Sequence, residues 1–278
     1  LKFKKKNTNN QKTKTICIGN IYVGGTAKTP LTIKIYQILS NLSFKTATIK
    51  KFYSNHTDEQ KMLNEKTKLY CLRNRSVALQ KAIKDGIDVV IFDDGLQDRA
   101  LDYDLKFVCF NNIVWIGNGL LMPAGPLRET INQGLKKIDA IIFTGNNGMK
   151  NINMHFSENI QSFDTTLKIT KHLKTKQTSF LAFCALANPM KFYETLEKNS
   201  FKVNSTKSFP DHHEYNNEDI NKLKKEAKSK NLKLITTEKD YVKIHDKENE
   251  ISVLPIEINF NRADEDRFKS FLKEKLNG

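Results

Sequence analysis

Thr15–Pro30 reads TICIGNIYVGGTAKTP, and this stretch decides the fold. Thr15–Val23 is apolar and rich in β-branched residues, which predicts a strand. Pro30 precedes the apolar-spaced run Leu31–Leu42 and predicts a helix start, because proline's fixed φ and missing N–H suit a first turn. Between strand and helix lies Gly24-Gly25-Thr26-Ala27-Lys28-Thr29. A glycine-rich turn feeding a helix N-terminus presents backbone N–H groups to an anion, and a lysine there adds charge for the outer phosphates of a nucleotide. The Thr29 hydroxyl, next to that lysine, is a candidate ligand for Mg²⁺. The turn departs from the strict spacing G-x-x-x-x-G-K-[ST]: Tyr22 holds the first glycine position and Ala27 the last.

Outward from this unit, strand and helix alternate. Lys45–Lys51, Lys68–Leu72, Asp88–Phe92, Leu105–Phe110 and Ala140–Phe143 read as strands. Asp58–Glu65 and Ser76–Asp85 read as helices, the second closed by Gly86. This succession predicts an α/β fold with a doubly wound, mostly parallel sheet. Right-handed crossovers then gather the strand C-termini on one edge, so the glycine-rich turn and Asp93-Asp94 are expected side by side. Asn151–Phe156 and Thr165–Ile169 read as strands of a small sheet or linker. From Phe180 the alternation resumes with FLAFCAL, then Met190–Lys198, Glu218–Lys228 and Leu232–Thr236, and the chain finishes on the amphipathic Ala263–Leu276. The expected organisation is a basic leader (1–14), a nucleotide-binding core (15–145), a linker or small β hairpin (146–176) and a second, smaller α/β lobe (177–278) that completes the cleft.

Composition narrows the partners. A net charge of +15 favours polyanions such as nucleic acid or an anionic membrane face. Nucleic acid is not expected, because no stacking-aromatic motif or reading helix accompanies the charge. The four cysteines lie in apolar stretches without C-x-x-C spacing, which points to free thiols in a reducing compartment rather than to zinc. No apolar run reaches the ~18 residues of a membrane span. Leu1–Thr15 carries six lysines without the apolar core of a signal peptide, so a cytoplasmic location is expected.

Three further motifs carry chemistry. Asp93-Asp94 follows an apolar strand, where a carboxylate can hold Mg²⁺ directly or through water. Asp211-His212-His213 can supply a base or bind a hydroxyl-bearing substrate. Arg128-Glu129 follows the rigid Pro123-Ala-Gly-Pro126 and offers a guanidinium suited to phosphate.

In this order, GNIYVGGTAKTP (19–30), TDEQ (57–60), RNR (73–75), DDGLQ (93–97), GNGLLMPAGPLRE (117–129), AFCALANPMKFY (182–193), FPDHHEY (209–215) and TTEKDYVK (236–243) resemble the tetraacyldisaccharide 4′-kinase family of lipid A biosynthesis. The resemblance implies a P-loop core with a second lobe, located peripherally on the cytoplasmic side of the inner membrane. It implies transfer of the γ-phosphoryl group of ATP to the 4′-hydroxyl of a tetraacylated glucosamine disaccharide 1-phosphate, the lipid A precursor. Carried over by motif, Tyr22, Val23, Gly24, Gly25, Thr26, Ala27, Lys28 and Thr29 would bind ATP, with Lys28 on the β- and γ-phosphates. Thr29, Asp93, Asp94 and Glu129 would form the Mg²⁺ shell. Gln97, Arg128 and His213 would face the lipid headgroup or the transferring phosphoryl group. Asp58 and a histidine of the DHH motif, His212 in preference to His213, would form the base pair.

This chain departs from the family at five places, one being Thr57-Asp58-Glu59-Gln60 where the family has G-D-E-P, which keeps the acids. Ala27 stands where the family has Gly. Ile49–Thr57 is all that remains of a longer loop around S-R-G-Y. Asp98 replaces a histidine, and the family's N-terminal membrane-docking helix is missing or lies upstream of this sequence, with the basic leader a candidate electrostatic substitute. Two other readings of the residues remain: a P-loop kinase or ATPase acting on a small anionic metabolite, and a non-catalytic nucleotide-binding protein.

Overall fold

The structure is a computed structural model that describes residues 13–54, 57–98, 100–112, 115–136, 138–145, 160–170, 178–244 and 250–277. The leader to residue 12, the expected strand Asn151–Phe156 and most of the 146–176 segment lie outside the described residues.

Eight strands form the larger sheet: β1 (Lys14–Gly19), β2 (Thr46–Lys51), β3 (Leu69–Leu72), β4 (Val89–Asp93), β5 (Leu105–Asn111), β6 (Ala140–Thr144), β7 (Gln161–Ile169) and β12 (Ile256–Phe260). Their spatial order is β12-β7-β6-β5-β1-β4-β2-β3. Every pairing is parallel except that of β7 with β12. Side chains alternate across each strand. Ile16 and Ile18 of β1 therefore face helix α1 (Lys28–Asn41), while Cys17 faces the side covered by α3 (Arg75–Lys84). With both faces covered, the strands are buried nearly end to end, and this is why they read as continuous apolar runs.

The second sheet is four-stranded and parallel, in the order β11-β10-β8-β9, from β8 (Ser179–Cys184), β9 (Lys202–Ser208), β10 (Lys233–Thr237) and β11 (Ile251–Leu254). Helices α5 (Pro189–Lys198) and α6 (Asn217–Ser229) bury Leu196 and Leu223 against its two faces.

The lobes divide differently from the sequence reading. Thr165–Ile169 is no separate linker strand but part of β7, paired with β6 in the main sheet. The segment after residue 254 also returns to the first lobe. Pro255 interrupts ISVLPIEINF, leaving β11 in the small sheet and β12 in the large one. A proline lacks the N–H that a ladder needs, so it marks the crossing. Helix α8 (Arg262–Asn277) then packs Phe268, Phe271 and Leu272 against Phe107 and Phe163. β1 also stops four residues earlier than expected, at Gly19. Tyr22 leaves the sheet to bridge Leu127, and Val23 N–H donates to Pro126 O at 2.8 Å. The four cysteines are free, three of them buried.

Candidate active site

β1 lies between β4 and β5, where the winding of the sheet reverses, so the chain leaving β1 opens into the crevice at the strand C-termini. Gly19 takes no larger residue, because a Cβ there would sit 2.5 Å from Leu96 Cγ. Gly24 has φ 136°, a conformation L side chains rarely adopt. Ala27 is the N-cap of α1 with φ 58° and ψ 30°, in the left-handed region. That backbone suits a glycine, and Ala27 holds it at a steric cost. No side chain caps α1, and its first turn carries no acid. The uncapped N–H groups beside Lys28 thus leave a helix end suited to an anion.

Asp93 ends β4 and is fully buried. Its Oδ2 accepts from Thr29 Oγ1 at 3.0 Å and Lys50 Nζ at 2.7 Å, while Oδ1 accepts from Thr32 Oγ1 at 3.4 Å. A hydroxyl and a carboxylate are hard oxygen donors suited to Mg²⁺. Asp94, with φ 60°, turns the other way. Its carboxylate lies 3.7 Å from Lys28 Nζ and 3.5 Å from Arg128 Nη1, and the same Arg128 nitrogen donates to Gln97 Oε1 at 3.1 Å. Lys28, Asp94, Gln97 and Arg128, expected from three separate motifs, therefore meet. Glu129 does not join them. Arg128 N–H is tied to Ile21 O at 2.8 Å, and Glu129 lies by α4 (Ile131–Leu135), its Cγ 3.6 Å from where a Gly134 Cβ would stand. Among the described residues no three His, Cys, Asp or Glu are grouped to hold a metal.

The second cluster spans the lobes. Asp58 is 1% exposed in the first turn of α2 (Thr57–Lys66), where it accepts Glu59 N–H at 2.8 Å. Its Oδ2 lies 3.0 Å from His212 Nδ1 and 3.5 Å from Lys239 Nζ. A carboxylate accepts, so Nδ1 carries a proton; Nε2, 3.8 Å from Asp211 Oδ2, is the nitrogen that holds the lone pair in the neutral imidazole. His212 has φ 60°, an uncommon backbone for a non-glycine residue and a feature of functional sites. His213 points elsewhere. Its Nε2 is 2.9 Å from Asp219 Oδ2, and its ring stacks on Phe209 at 4.9 Å. Asp219 belongs to the capping box of α6, so this contact ties His213 to the start of that helix.

TTEKDYVK explains how the histidine loop is held. Asp240, fully buried in α7 (Glu238–Tyr241), accepts from Ala185 N at 3.1 Å, Tyr215 OH at 3.2 Å and Thr237 Oγ1 at 2.7 Å, with Lys243 Nζ at 2.9 Å. Burial and the neighbouring Asp240 charge push the Tyr215 hydroxyl far above its usual range, so it stays a donor. Asp98, where a histidine was expected, pairs with the buried Arg75 at 3.1 Å, and Arg75 also donates to Asp94 O at 2.6 Å.

Sequence reasoning missed Lys50, Glu59, Arg75 and Lys239 as parts of the site. Lys50 carried one readable signal, a lysine inside the otherwise buried strand TATIKK.

An open cleft of about 970 Å³ adjoins Asp94, with Lys51, Arg75 and Arg128 among its walls and Tyr53, Leu121 and Met122 beside them. Leu120, Leu121 and Met122 are exposed at 52%, 45% and 58%. No helix among the described residues is long and apolar enough to cross a membrane.

The profile of the family described as tetraacyldisaccharide-1-P 4′-kinase matches residues 2–277. A tetraacyldisaccharide 4′-kinase of Pelagibacter ubique is 43% identical over 251 residues, covering 87% of this chain and 79% of that protein. One from Rickettsia akari is 31% identical over 280 residues, covering 95% of this chain and 86% of its own length. The crystal structure of LpxK from Aquifex aeolicus in complex with ATP shares the fold, with a TM-score of 0.73 at 20% identity over 95% of this chain and 89% of that one. The chain belongs to the tetraacyldisaccharide-1-P 4′-kinase family.

Proposed function

We propose that this chain transfers the γ-phosphoryl group of ATP to the 4′-hydroxyl of a tetraacyl glucosamine disaccharide 1-phosphate, with Asp58 and His212 as the base pair. The observation that carries the proposal is the 3.0 Å contact between His212 Nδ1 and the buried Asp58 carboxylate. Asp58 fixes the tautomer and offsets the charge His212 gains, and Nε2 takes the proton of the attacking hydroxyl. The hydroxyl oxygen bonds to the γ-phosphorus as the bond to the β,γ-bridging oxygen breaks, and ADP leaves with that electron pair. Lys28 and the α1 N-terminus hold the phosphates in line, which is most of what phosphoryl transfer asks of a protein. Thr29 and Asp93 would hold Mg²⁺, which when bound neutralises charge on the phosphate oxygens. Their buried hydroxyl and carboxylate pair fits such an ion.

The cleft suits an amphiphilic anion. Arg128 and Lys51 offer cations to the headgroup, and Leu121, Met122 and Tyr53 offer apolar surface to acyl chains. The same exposed residues, with the +15 charge, suit a chain that works at an anionic membrane face.

The test is a transfer assay with ATP, Mg²⁺ and the disaccharide 1-phosphate in detergent micelles. Phosphorylated lipid is expected from the unaltered protein and none from Lys28→Ala. Firm ATP binding without transfer would instead favour a kinase for a small anionic metabolite.

A further inference from the structure

Lys50 lies in the middle of the site, yet neither the phosphate loop nor the base pair accounts for it. It stands on β2, one strand from Asp93, and is 5% exposed. Its ammonium meets Asp93 Oδ2 and Glu59 Oε2, each at 2.7 Å. Burial opposes the charge, but Asp93 and Glu59 outweigh it and raise the Lys50 pKa. Reciprocally, although burial works the other way, Lys50 holds Glu59 below the usual carboxylate range. Clamped between these two carboxylate oxygens, the Lys50 ammonium is a fixed positive charge.

Its contacts join the two halves of the chemistry. On one side, Asp93 Oδ2 also accepts from Thr29, the hydroxyl next to Lys28. On the other, Glu59 follows Asp58, the partner of His212. Oxygen atoms of two buried or half-buried carboxylates, converging within hydrogen-bond distance of one point, are what a divalent cation would ordinarily bridge. Here the ammonium occupies that point. A tethered ammonium bound to a ligand oxygen of Asp93 also repels any metal ion that Asp93 holds.

We propose that Lys50 is a resident cation of the active site, standing where a second divalent ion would otherwise bridge Asp93 and Glu59 and weakening the hold of Asp93 on the nucleotide's own Mg²⁺. Lys50 acts through Asp93 and Glu59 and is a positioning residue. This inference rests on the reading of Thr29 and Asp93 as the Mg²⁺-nucleotide site.

The experiment is calorimetric titration of a non-hydrolysable ATP analogue into the full chain over a series of Mg²⁺ concentrations. It is run on the unaltered protein, Lys50→Met and Lys50→Arg, with folding checked by circular dichroism. For Lys50→Met the Mg²⁺ midpoint of analogue binding is expected to fall at least tenfold, because the repelling charge is gone. For Lys50→Arg it is expected to stay within threefold. In the unaltered protein, turnover is expected to saturate once all ATP is the magnesium complex. A folded Lys50→Met with an unmoved midpoint would overturn the proposal, as would further activation of the unaltered enzyme by free Mg²⁺, a measurement that needs no variant. Failure of the unaltered protein to bind the analogue at any Mg²⁺ concentration would overturn the nucleotide-site reading as well, so the two failures are distinguishable.

Discussion

Replacing Ala27 with glycine isolates the backbone strain in the phosphate loop. Ala27 sits at φ 58° and ψ 30°. Holding a residue with a Cβ in the left-handed region costs roughly 1–2 kcal/mol, and glycine is free of that cost. Against this, glycine gives the unfolded chain more freedom, which costs about 0.4–1 kcal/mol. The half-buried methyl, packed at the edge of the α1 core, is worth a further ~0.4 kcal/mol as half a buried methylene. The balance for Ala27→Gly runs from a loss of about 0.4 to a gain of about 1.2 kcal/mol, summed from these terms. Were Ala27 an ordinary helical residue, the same substitution would lose ~1 kcal/mol. Urea unfolding of both proteins, with equal m-values, separates the cases. A loss of ~1 kcal/mol or more, on the scale of helix propensity, would refute the strain argument. Nucleotide affinity is expected to hold or improve, because the N–H groups of the turn keep their direction.

Other substitutions probe the remaining supports. Asp58→Asn and His212→Gln should each lower kcat by roughly 100- to 10,000-fold with little change in the KM for ATP, and the double variant should be little worse than either, since the pair acts as a unit. Independent, multiplying losses in a double-mutant cycle would argue against the pair. Asp240→Ala should cost about 3–5 kcal/mol in chemical denaturation, because it strands the buried Lys243 charge along with three donors. Asn216→Ala should cost about 1 kcal/mol through loss of the α6 capping box. The His213 hydrogen bond holds Asp219 below its ordinary value of 3.8, so its contribution to stability is complete above that pH and is lost as pH falls through the lower folded value. The stability difference between the unaltered protein and Asp219→Asn should therefore shrink in acid melts below pH 3.8, and a difference that grows there would contradict the sign.

Much of the first lobe was legible because it is buried on both faces. Runs such as VVIFD and LKFVCFN are mostly apolar, and the turn after β1 is rich in glycine. β9 was not legible, because KVNSTKS is a largely exposed edge strand with no apolar signature. The return of β12 to the large sheet was hidden for another reason: sequence shows Pro255 as a break but not which sheet each half will join. In the site, residues whose chemistry is local to a motif were readable, as with Lys28, Thr29, Asp93 and Asp58. Lys50 and Lys239 were missed because their meaning lies in partners 43 and 181 residues distant. The two adjacent histidines could not be told apart by type; the Asp58 contact of His212 and the Asp219 contact of His213 separate them.

The central claim is that one edge of this molecule moves phosphate from ATP to the 4′ position of an acylated disaccharide. The most direct measurement follows γ-labelled ATP with the disaccharide 1-phosphate lipid and locates the label in the product by phosphorus NMR and mass spectrometry, for the unaltered protein and Asp58→Asn. The account predicts label on the 4′ oxygen, formed by the first and formed at least ~100-fold more slowly by the second, the loss expected when the base His212 is deprived of the carboxylate that orients it. Label at any other position, or equal rates from the two proteins, would contradict it.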